Sequence, residues 1–267
     1  MLLFAGFGAS IAGRRSGSMG YLMDIDYWNR VCGDYQEEIL SVFDNDLHKV
    51  VERCVAEVAA SGEARRAADF GCGVGRFTPL LAKAFEEVEA CDFSGVGLRK
   101  AKRRCRGKRN TRFHQVDLTK GEVPFEPVEF GFCVNVLILP GLDKRLRAWR
   151  SVLESIVVGG KLLLVAPSWE SAQMEFYGSI AYHLNDGYGC GDAVKMSIED
   201  RATTADLRMG VLQLDGVKTK HYLKPELVQM LMARGFEVDR ITRVEYPTDE
   251  HQDFRRWDWL AMATKRE

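Results

Sequence analysis

The sequence lacks the cysteine pattern of a disulfide framework or of a thiolate zinc site. Its seven cysteines are spread along 267 residues, and no two of them form a C-x-x-C pair. An odd number of widely spaced cysteines is typical of proteins kept in a reducing compartment. We therefore expect no metal centre and a cytoplasmic location.

A long apolar run is also missing. Residues 2–13 are apolar or small, but Arg14 and Arg15 follow this run, whereas a signal peptide carries its positive charges first. The run is shorter than the ~20 residues that span a bilayer. We expect a disordered tail over residues 1–20, a single domain over residues 21–267 and no membrane segment.

Neither sign of charge is in excess, since 37 Lys and Arg stand against 38 Asp and Glu. Overall charge therefore gives no attraction to nucleic acid. One stretch is strongly basic: Arg99, Lys100, Lys102, Arg103, Arg104, Arg106, Lys108, Arg109 and Arg112. Such a stretch is either a phosphate-binding patch or the solvated face of a surface helix, and the lack of interleaved aromatic residues favours the solvated face.

Hydrophobic periodicity predicts strands that alternate with helices, and hence an α/β fold of parallel β-α-β units with helices on both faces of the sheet. One long amphipathic helix is predicted from Ile39 to Ser61. The predicted strands are Arg66–Phe70, Val88–Phe93, Thr111–Asp117, Phe130–Leu139, Lys161–Ala166, Phe236–Val244 and Trp257–Thr264. The other predicted helices are Arg76–Phe85, Gly95–Arg106, Arg145–Val158 and Pro225–Arg234, whereas residues 168–218 are polar and weakly periodic.

A glycine-rich loop follows the first predicted strand and opens a helix. It reads Asp69-Phe70-Gly71-Cys72-Gly73-Val74-Gly75, and glycines in this position let the backbone approach a nucleotide closely. The dinucleotide fingerprint has its third glycine one residue later, where this chain has Arg76, so a nicotinamide-dependent oxidoreductase is disfavoured. The D-x-G-x-G-x-G pattern resembles motif I of the class I S-adenosylmethionine-dependent methyltransferases.

The resemblance implies a Rossmann-like, seven-stranded, mostly parallel sheet with an antiparallel last strand, and S-adenosyl-L-methionine as cofactor. Asp92 ends the second strand, where a carboxylate accepts the ribose hydroxyls, and Asp117 ends the third. Each acid alone is also a possible helix cap. The resemblance makes these residues the cofactor-binding candidates: Asp69, Gly71, Cys72, Gly73, Asp92, Phe93, Asp117, Leu118 and Asn135.

The methyl acceptor is less constrained. Asn135 is followed by Val136, whereas enzymes that methylate base amino groups usually carry D/N-P-P-Y there, and the chain has no Pro-Cys dipeptide. We therefore predict methyl transfer by direct displacement to an O, N or S atom of a small molecule. An RNA or protein methyltransferase, or a catalytically silent cofactor-binding protein, remains an alternative. The sequence does not specify the oligomeric state.

In the same family the acceptor pocket is usually built by the N-terminal helix and by the segment after the fifth strand. The second of these is here a substrate-side insertion at about 168–222. It contains the candidate catalytic residues His183, His221 and Tyr177. The two histidines are candidate bases because an imidazole titrates near neutral pH. Aromatic residues of both segments are candidates for substrate contacts: Tyr27, Trp28, Tyr35, Trp169 and Tyr182.

Overall fold

The computed structural model describes residues 25–34, 41–197, 203–214, 217–248 and 255–267. The helices in these ranges are α1 (Ile25–Asp34), α2 (Val42–Asn45), α3 (Val50–Ser61), α4 (Thr78–Ala84), α5 (Gly95–Arg104), α6 (Leu142–Glu154), α7 (Trp169–Asn185), α8 (Cys190–Ser197), α9 (Thr204–Arg208) and α10 (Lys224–Met232). The predicted tail, residues 1–20, and Tyr35 lie outside the described residues.

The strands form one large sheet and a separate hairpin. They are β1 (Arg66–Phe70), β2 (Glu87–Asp92), β3 (Thr111–Gln115), β4 (Val128–Val134), β5 (Ile156–Pro167), β6 (Val211–Leu214), β7 (Val217–Lys220), β8 (Phe236–Glu245) and β9 (Trp257–Lys265). The large sheet has the order β3-β2-β1-β4-β5-β9-β8. Strands β1 to β5 pair in parallel, and β9 runs antiparallel to both β5 and β8. The predicted seven-stranded, mostly parallel sheet is therefore confirmed.

Helices cover both faces of this sheet. Val51 and Leu81, from α3 and α4, are buried in one core cluster together with Phe130 of β4. Trp149 and Leu227, from α6 and α10, belong to a second cluster on the sheet. Strands covered on both faces read as continuous apolar runs, which explains why β4, β5 and β9 were recognisable in the sequence. None of the helices in the described ranges combines the length and apolar character needed to span a bilayer.

The predicted single helix from Ile39 to Ser61 is wrong. Its described part is divided into α2 and α3, and Lys49 between them has a left-handed backbone with φ of +50°. The carboxylate of Asp46 accepts a hydrogen bond from the N–H of Val51 at 2.9 Å. The N–H of Leu47 donates to the carbonyl of Glu245 on β8. A left-handed residue cannot continue a right-handed helix, so these contacts end one helix and start the next.

Two predicted boundaries are also wrong. The helix predicted to reach Val158 ends at Glu154, and β5 already begins at Ile156. The strand predicted to reach Leu139 ends at Val134, because Asn135 adopts a positive φ of +55°. A left-handed residue cannot extend a β-ladder.

The segment after β5 is more regular than its sequence pattern indicates. Ser168 caps α7, since its hydroxyl accepts a hydrogen bond from the N–H of Ser171 at 3.0 Å. Met174 and Tyr177 on α7 are exposed, so apolar residues are not confined to one face and the helical period is obscured. The boundaries of a substrate-side insertion at about 168–222 remain a prediction.

Candidate functional site

The glycine-rich loop leaves the carboxyl end of β1, between β2 and β4. Strand order changes direction at this point of the sheet, and ligands of open α/β sheets bind in the crevice that results. Gly71 and Gly75 have φ of +66° and +76°. A Cβ on Gly75 would lie 2.8 Å from the Cα of Ala101 in α5, so only glycine permits this approach of loop and helix.

Hydrogen bonds fix the loop to its neighbours. The N–H of Cys72 donates to the carbonyl of Cys91 at 2.9 Å, and the N–H of Gly75 donates to the carbonyl of Cys72 at 2.8 Å. The guanidinium of Arg104 on α5 donates to the carbonyl of Val74 at 2.6 Å. The loop is therefore held in one conformation from both β2 and α5.

Asp69 lies beneath the loop and is 3% exposed. Its Oδ2 accepts a hydrogen bond from the hydroxyl of Thr78 at 2.7 Å. The pKa of Asp69 is raised to about 7, chiefly by burial, with the hydrogen bond from Thr78 opposing the shift and the nearby charge of Asp92 adding to it. The first residue of the motif thus joins the loop to the start of α4.

Asp92 joins the end of β2 to the loop. Its Oδ2 accepts from the N–H of Gly73 at 2.8 Å, and its Oδ1 accepts from the N–H of Ser94 at 2.7 Å. Burial raises the pKa of this carboxyl, and the two backbone hydrogen bonds oppose the shift. Each carboxylate oxygen has a second lone pair that can accept another hydroxyl. Phe93 follows at the same edge and is half-buried.

Asp117 acts as a cap. Its Oδ1 accepts from the N–H of Thr119 at 3.0 Å and from the Thr119 hydroxyl at 2.7 Å, at the start of a short 3-10 helix, Leu118–Lys120. Leu118 is buried, and its carbonyl accepts from the hydroxyl of Ser151. The capping contacts explain an aspartate here, so a contact with cofactor remains a prediction for Asp117 and Leu118.

Asn135 begins the segment after β4, on the other side of the loop. Its N–H donates to the carbonyl of Val165, and its Nδ2 donates to Asp258 Oδ2 at 3.2 Å. The hydroxyl of Tyr246 donates to the same carboxylate oxygen at 2.6 Å. Sequence reasoning missed Asp258 and Tyr246. A lone carboxylate inside the apolar run Trp257–Thr264 was a detectable signal for Asp258, whereas nothing in the sequence marks Tyr246.

The candidates on α1 lie beside the loop-facing end of α5. Tyr27 and Trp28 are half-buried and stack edge to face, with ring centroids 5.2 Å apart. Asn29 on the same helix accepts a hydrogen bond from the hydroxyl of Ser94 at 2.7 Å. Helix α1 is thereby attached to Ser94, which lies two positions after Asp92 in the chain. This location fits a role near the cofactor crevice.

The candidates on α7 are dispersed along the helix. Trp169 is half-buried at its start, where its N–H donates to the carbonyl of Tyr222. Tyr177 is 62% exposed and Tyr182 is 39% exposed. His183 is buried against Tyr182 and Tyr188, and both of its ring nitrogens lack hydrogen-bond partners within the described ranges. With a rise of about 1.5 Å per residue, His183 lies roughly 21 Å along the helix from Trp169.

His221 lies after the β6–β7 hairpin, close to the segment that follows β4. The N–H of its neighbour Lys220 donates to the carbonyl of Ile138 at 2.9 Å, and His221 Nδ1 lies 3.2 Å from the carbonyl oxygen of Thr219. Burial lowers the pKa of His221 to about 4. The ring is therefore neutral at pH 7, with one unprotonated nitrogen that is a weaker base than in a free imidazole.

The basic stretch lies on the outer face of α5 and on the chain that follows. All nine of its side chains except Lys100 are exposed. Arg112 pairs with Glu89 at 2.9 Å, and Arg104 bonds to the loop as described. Exposure of this kind agrees with a solvated helix face.

Comparison with known proteins identifies relatives of this fold. A family model described as a methyltransferase domain matches residues 67–160. No curated protein sequence matches the chain. The chain is similar in structure to the N-methyltransferase NodS from Bradyrhizobium japonicum WM9 in complex with S-adenosyl-L-homocysteine, with 13% identity and a TM-score of 0.60 over 91% of this chain and 98% of that chain.

A second similar structure is the magnesium protoporphyrin IX methyltransferase ChlM from Synechocystis PCC 6803 with bound S-adenosylhomocysteine. Its identity is 16%, and its TM-score is 0.56 over 90% of this chain and 97% of that chain. At these identities, similarity to the two solved structures establishes the fold.

Proposed function

We propose that this chain is a class I S-adenosylmethionine-dependent methyltransferase, which binds S-adenosyl-L-methionine at the glycine-rich loop and methylates a small molecule. The observation that carries the proposal is the hydrogen bond from the N–H of Gly73 to the carboxylate of Asp92. It places a bent glycine loop and a carboxylate with spare lone pairs at the same edge of the sheet.

The loop has room for such a cofactor. A Cβ on Gly73 would meet no atom of the described residues within 4 Å, so that part of the chain leaves open space on this side of the loop. Gly71 and Gly73 both have a positive φ, and the N–H groups of Cys72 and Gly73 are bonded to Cys91 and Asp92. The loop therefore offers a ligand a close approach to its backbone. The residues present therefore fit the cofactor.

The proposed contacts divide along the crevice. Asp92 accepts the ribose hydroxyls, and Phe93, Asp117 and Leu118 surround the adenine. The segment Gly71–Gly73, with Asp69 supporting it from below and Asn135 opposite, holds the methionine portion. Bound there, S-adenosylmethionine supplies an activated methyl group on a sulfonium. The chain aligns the acceptor with that methyl and keeps water out.

The acceptor we propose is a small molecule that offers an O, N or S atom. The similar structure of ChlM belongs to an enzyme whose name gives a small molecule, magnesium protoporphyrin IX, as its acceptor. Tyr27, Trp28 and Trp169 are the proposed substrate contacts, with Tyr182 and Tyr177 further along α7. His221 is preferred to His183 as a candidate base, because the hairpin connects it to the segment after Asn135. We also propose a cytoplasmic location, in keeping with seven free cysteines.

Calorimetric titration with S-adenosylmethionine and S-adenosylhomocysteine tests the proposal on the wild type, Asp92→Ala and Asp143→Ala. Asp143 is an exposed acid of α6 and pairs only at the surface with Arg147, so it is the matched control. We expect both ligands to bind the wild type and the control equally. Asp92→Ala should weaken both about 100-fold, since the hydrogen bonds from Gly73 and Ser94 and the ribose contact are lost. No binding to folded wild type contradicts the proposal.

The alternatives give different results. A silent binding protein binds the cofactor but produces no S-adenosylhomocysteine with any acceptor. An RNA methyltransferase binds RNA through its phosphates, so its affinity falls steeply with salt and with charge reversal at Arg103 and Lys108.

A further inference from the structure

Two tryptophans and two cations lie together where β9 and β8 form one edge of the large sheet. Trp257 and Trp259 are both 7% exposed, and their ring centroids are 6.2 Å apart. The guanidinium carbon of Arg243 lies 4.1 Å from the ring centroid of Trp257 and 5.9 Å from that of Trp259. Lys224 Nζ lies 5.7 Å from the centroid of Trp259. We call these four residues the cation–tryptophan group.

The register of the sheet brings this group together. Arg243 on β8 is the direct partner of Trp259 on the antiparallel strand β9. Trp257 comes two residues before Trp259, so its side chain leaves the same face of the sheet and packs diagonally against Arg243. Lys224 begins α10, and its N–H donates to Glu170 Oε1 at 3.0 Å, while Trp259 Nε1 donates to Glu170 Oε2 at 2.9 Å. Glu170 thereby connects the start of α7 to the group.

The position of Arg243 over an indole leaves its hydrogen-bonding edge available. A guanidinium over an aromatic ring uses its flat face for that contact, whereas its N–H donors point outward in the plane of the group. Arg243 and Lys224 are both exposed, and neither forms an ion pair with a residue of the described ranges. Because the indole restricts the guanidinium before any ligand arrives, binding through this edge costs less conformational entropy.

A buried donor and the local charge both indicate an anionic ligand. Trp257 Nε1 is buried and has no hydrogen-bond partner in the described part of the chain, and a buried N–H group without a partner is unfavourable. Two cations of the group stand against one contacting carboxylate, that of Glu170. Both oxygens of Glu170 already accept hydrogen bonds from the chain, so positive charge is in excess.

Protection of the sheet edge does not account for these features. A charged residue on an edge strand hinders pairing with another chain, and Arg243 on β8 has such a position. That role requires only an exposed charge. It requires neither two buried indoles beneath the cations nor an unpartnered N–H group beside them.

We propose that the cation–tryptophan group is a binding site for the anionic group, a carboxylate or a phosphate, of a small molecule. Arg243 binds two oxygen atoms of the anion through its planar edge. Lys224 adds a second positive charge, and Trp257 Nε1 is a further donor. The group contains none of the residues proposed to contact S-adenosylmethionine or the methyl acceptor, so this inference does not depend on the proposed function.

The indole N–H signals of the protein provide a direct readout. Cofactor-free protein labelled with ¹⁵N at its five tryptophans is titrated with inorganic phosphate and, separately, with succinate. Sodium chloride keeps the ionic strength constant, so general screening is the same throughout. Trp257→Phe identifies the signal of Trp257, and Trp149, whose Nε1 donates to the Tyr222 hydroxyl at 3.1 Å, is the internal reference. We expect the Trp257 signal to shift with a Kd of about 1 mM for the preferred anion.

Variants of the two cations test which features bind the anion. Arg243→Gln is expected to weaken binding about tenfold, because the charged hydrogen bonds are lost. Arg243→Lys keeps the charge but not the planar edge, so about a threefold loss is expected. Lys224→Gln should also weaken binding about threefold, through charge alone. The control is Arg240→Gln, since Arg240 lies on the same strand but pairs with Glu57 at 2.7 Å, and its affinity should equal that of the wild type.

The outcomes either support or overturn the site. A saturable shift of Trp257 that is weakened by Arg243→Gln and kept in Arg240→Gln supports it, and the anion that binds more tightly identifies the group as phosphate or carboxylate. No saturable shift with either anion below roughly 20 mM overturns the site. Equal losses in the Arg243 and Arg240 variants also overturn it, because net charge then explains the binding. Should Arg243→Gln not fold, wild-type affinity in Arg243→Lys overturns the role of the planar edge.

Discussion

The side chain of Val136 fills the space that a Cβ atom of residue 71 would need. A Cβ built on Gly71 would lie 2.9 Å from Cγ1 of Val136 and closer still to Cγ2. Because Gly71 also has a φ of +66°, a side chain is excluded there twice, by its own backbone and by its neighbour. The contact joins the loop after β1 to the segment after β4, and so fixes the width of the crevice between them.

The first prediction separates these two effects in a double-mutant cycle. Gly71→Ala is expected to lower the free energy of unfolding by about 2–4 kcal/mol, from left-handed strain and from the clash with Val136. In Gly71→Ala/Val136→Ala the clash is relieved, so about 1–3 kcal/mol is recovered relative to additivity and the strain remains. Urea unfolding of the four proteins measures the coupling. Strict additivity would show that Val136 does not restrict residue 71.

The second prediction concerns two neighbouring arginines of α5. Arg104 donates to the carbonyl of Val74 in the loop, whereas Arg103 is exposed on the basic face. Arg104→Ala is expected to weaken S-adenosylhomocysteine binding by about fivefold, since a charged hydrogen bond that orders the loop is lost at a partly exposed site. Arg103→Ala, with the same loss of charge, is expected to leave the affinity unchanged. Equal effects in the two variants would assign the result to net charge rather than to the loop contact.

The sequence predicted those parts of the fold that depend on neighbouring residues. Buried strands appear as apolar runs, and a glycine loop between a strand and a helix appears as a local motif. The break between α2 and α3 was not predictable, because it depends on Leu47 bonding to Glu245, far away in the chain. The cluster of Asn135 with Asp258 joins positions 123 residues apart. No periodicity or motif reports such a pairing.

The third prediction is that Asp69 makes the cofactor-free protein less stable as pH rises. Its pKa is raised from 3.8 to about 7 in the folded chain, so between these values the folded state holds a proton that the unfolded state has lost. Stability therefore decreases from about pH 4 to pH 7, by up to about 1.4 kcal/mol per pH unit, and is constant above that range. Asp69→Asn, which keeps an oxygen for Thr78, removes this contribution.

Urea unfolding of wild type and Asp69→Asn across pH 4–8 provides the measurement. The stability of the variant relative to wild type is expected to grow through this interval and to level off near pH 7. Asp143→Asn gives the control for the same chemical change at an exposed position. A constant difference between wild type and Asp69→Asn would mean that Asp69 is not the group responsible.

The last prediction concerns His221, whose titration is expected to make the protein more stable as pH rises, the opposite of the effect of Asp69. Its pKa is lowered from 6.5 to about 4 by burial, so between these values the unfolded chain binds a proton that the folded chain excludes. The contribution of neutral His221 is fully present above pH 6.5 and is lost as pH falls toward 4, at up to about 1.4 kcal/mol per pH unit. The stability difference between wild type and His221→Gln should therefore narrow as pH falls through this interval.

The double variant Asp69→Asn/His221→Gln provides the control for the two opposing slopes. Because the two groups act in opposite directions between about pH 4 and pH 6.5, wild type is expected to show little net dependence there from this pair, and each single variant to reveal the slope of the other group. The double variant is expected to keep only the slope that comes from other titrating groups, such as Asp92, whose pKa is raised by burial. A steep slope in the double variant would show that other titrating groups dominate the acid response. A difference between wild type and His221→Gln that stays constant from pH 4 to pH 6.5 would show that His221 does not contribute.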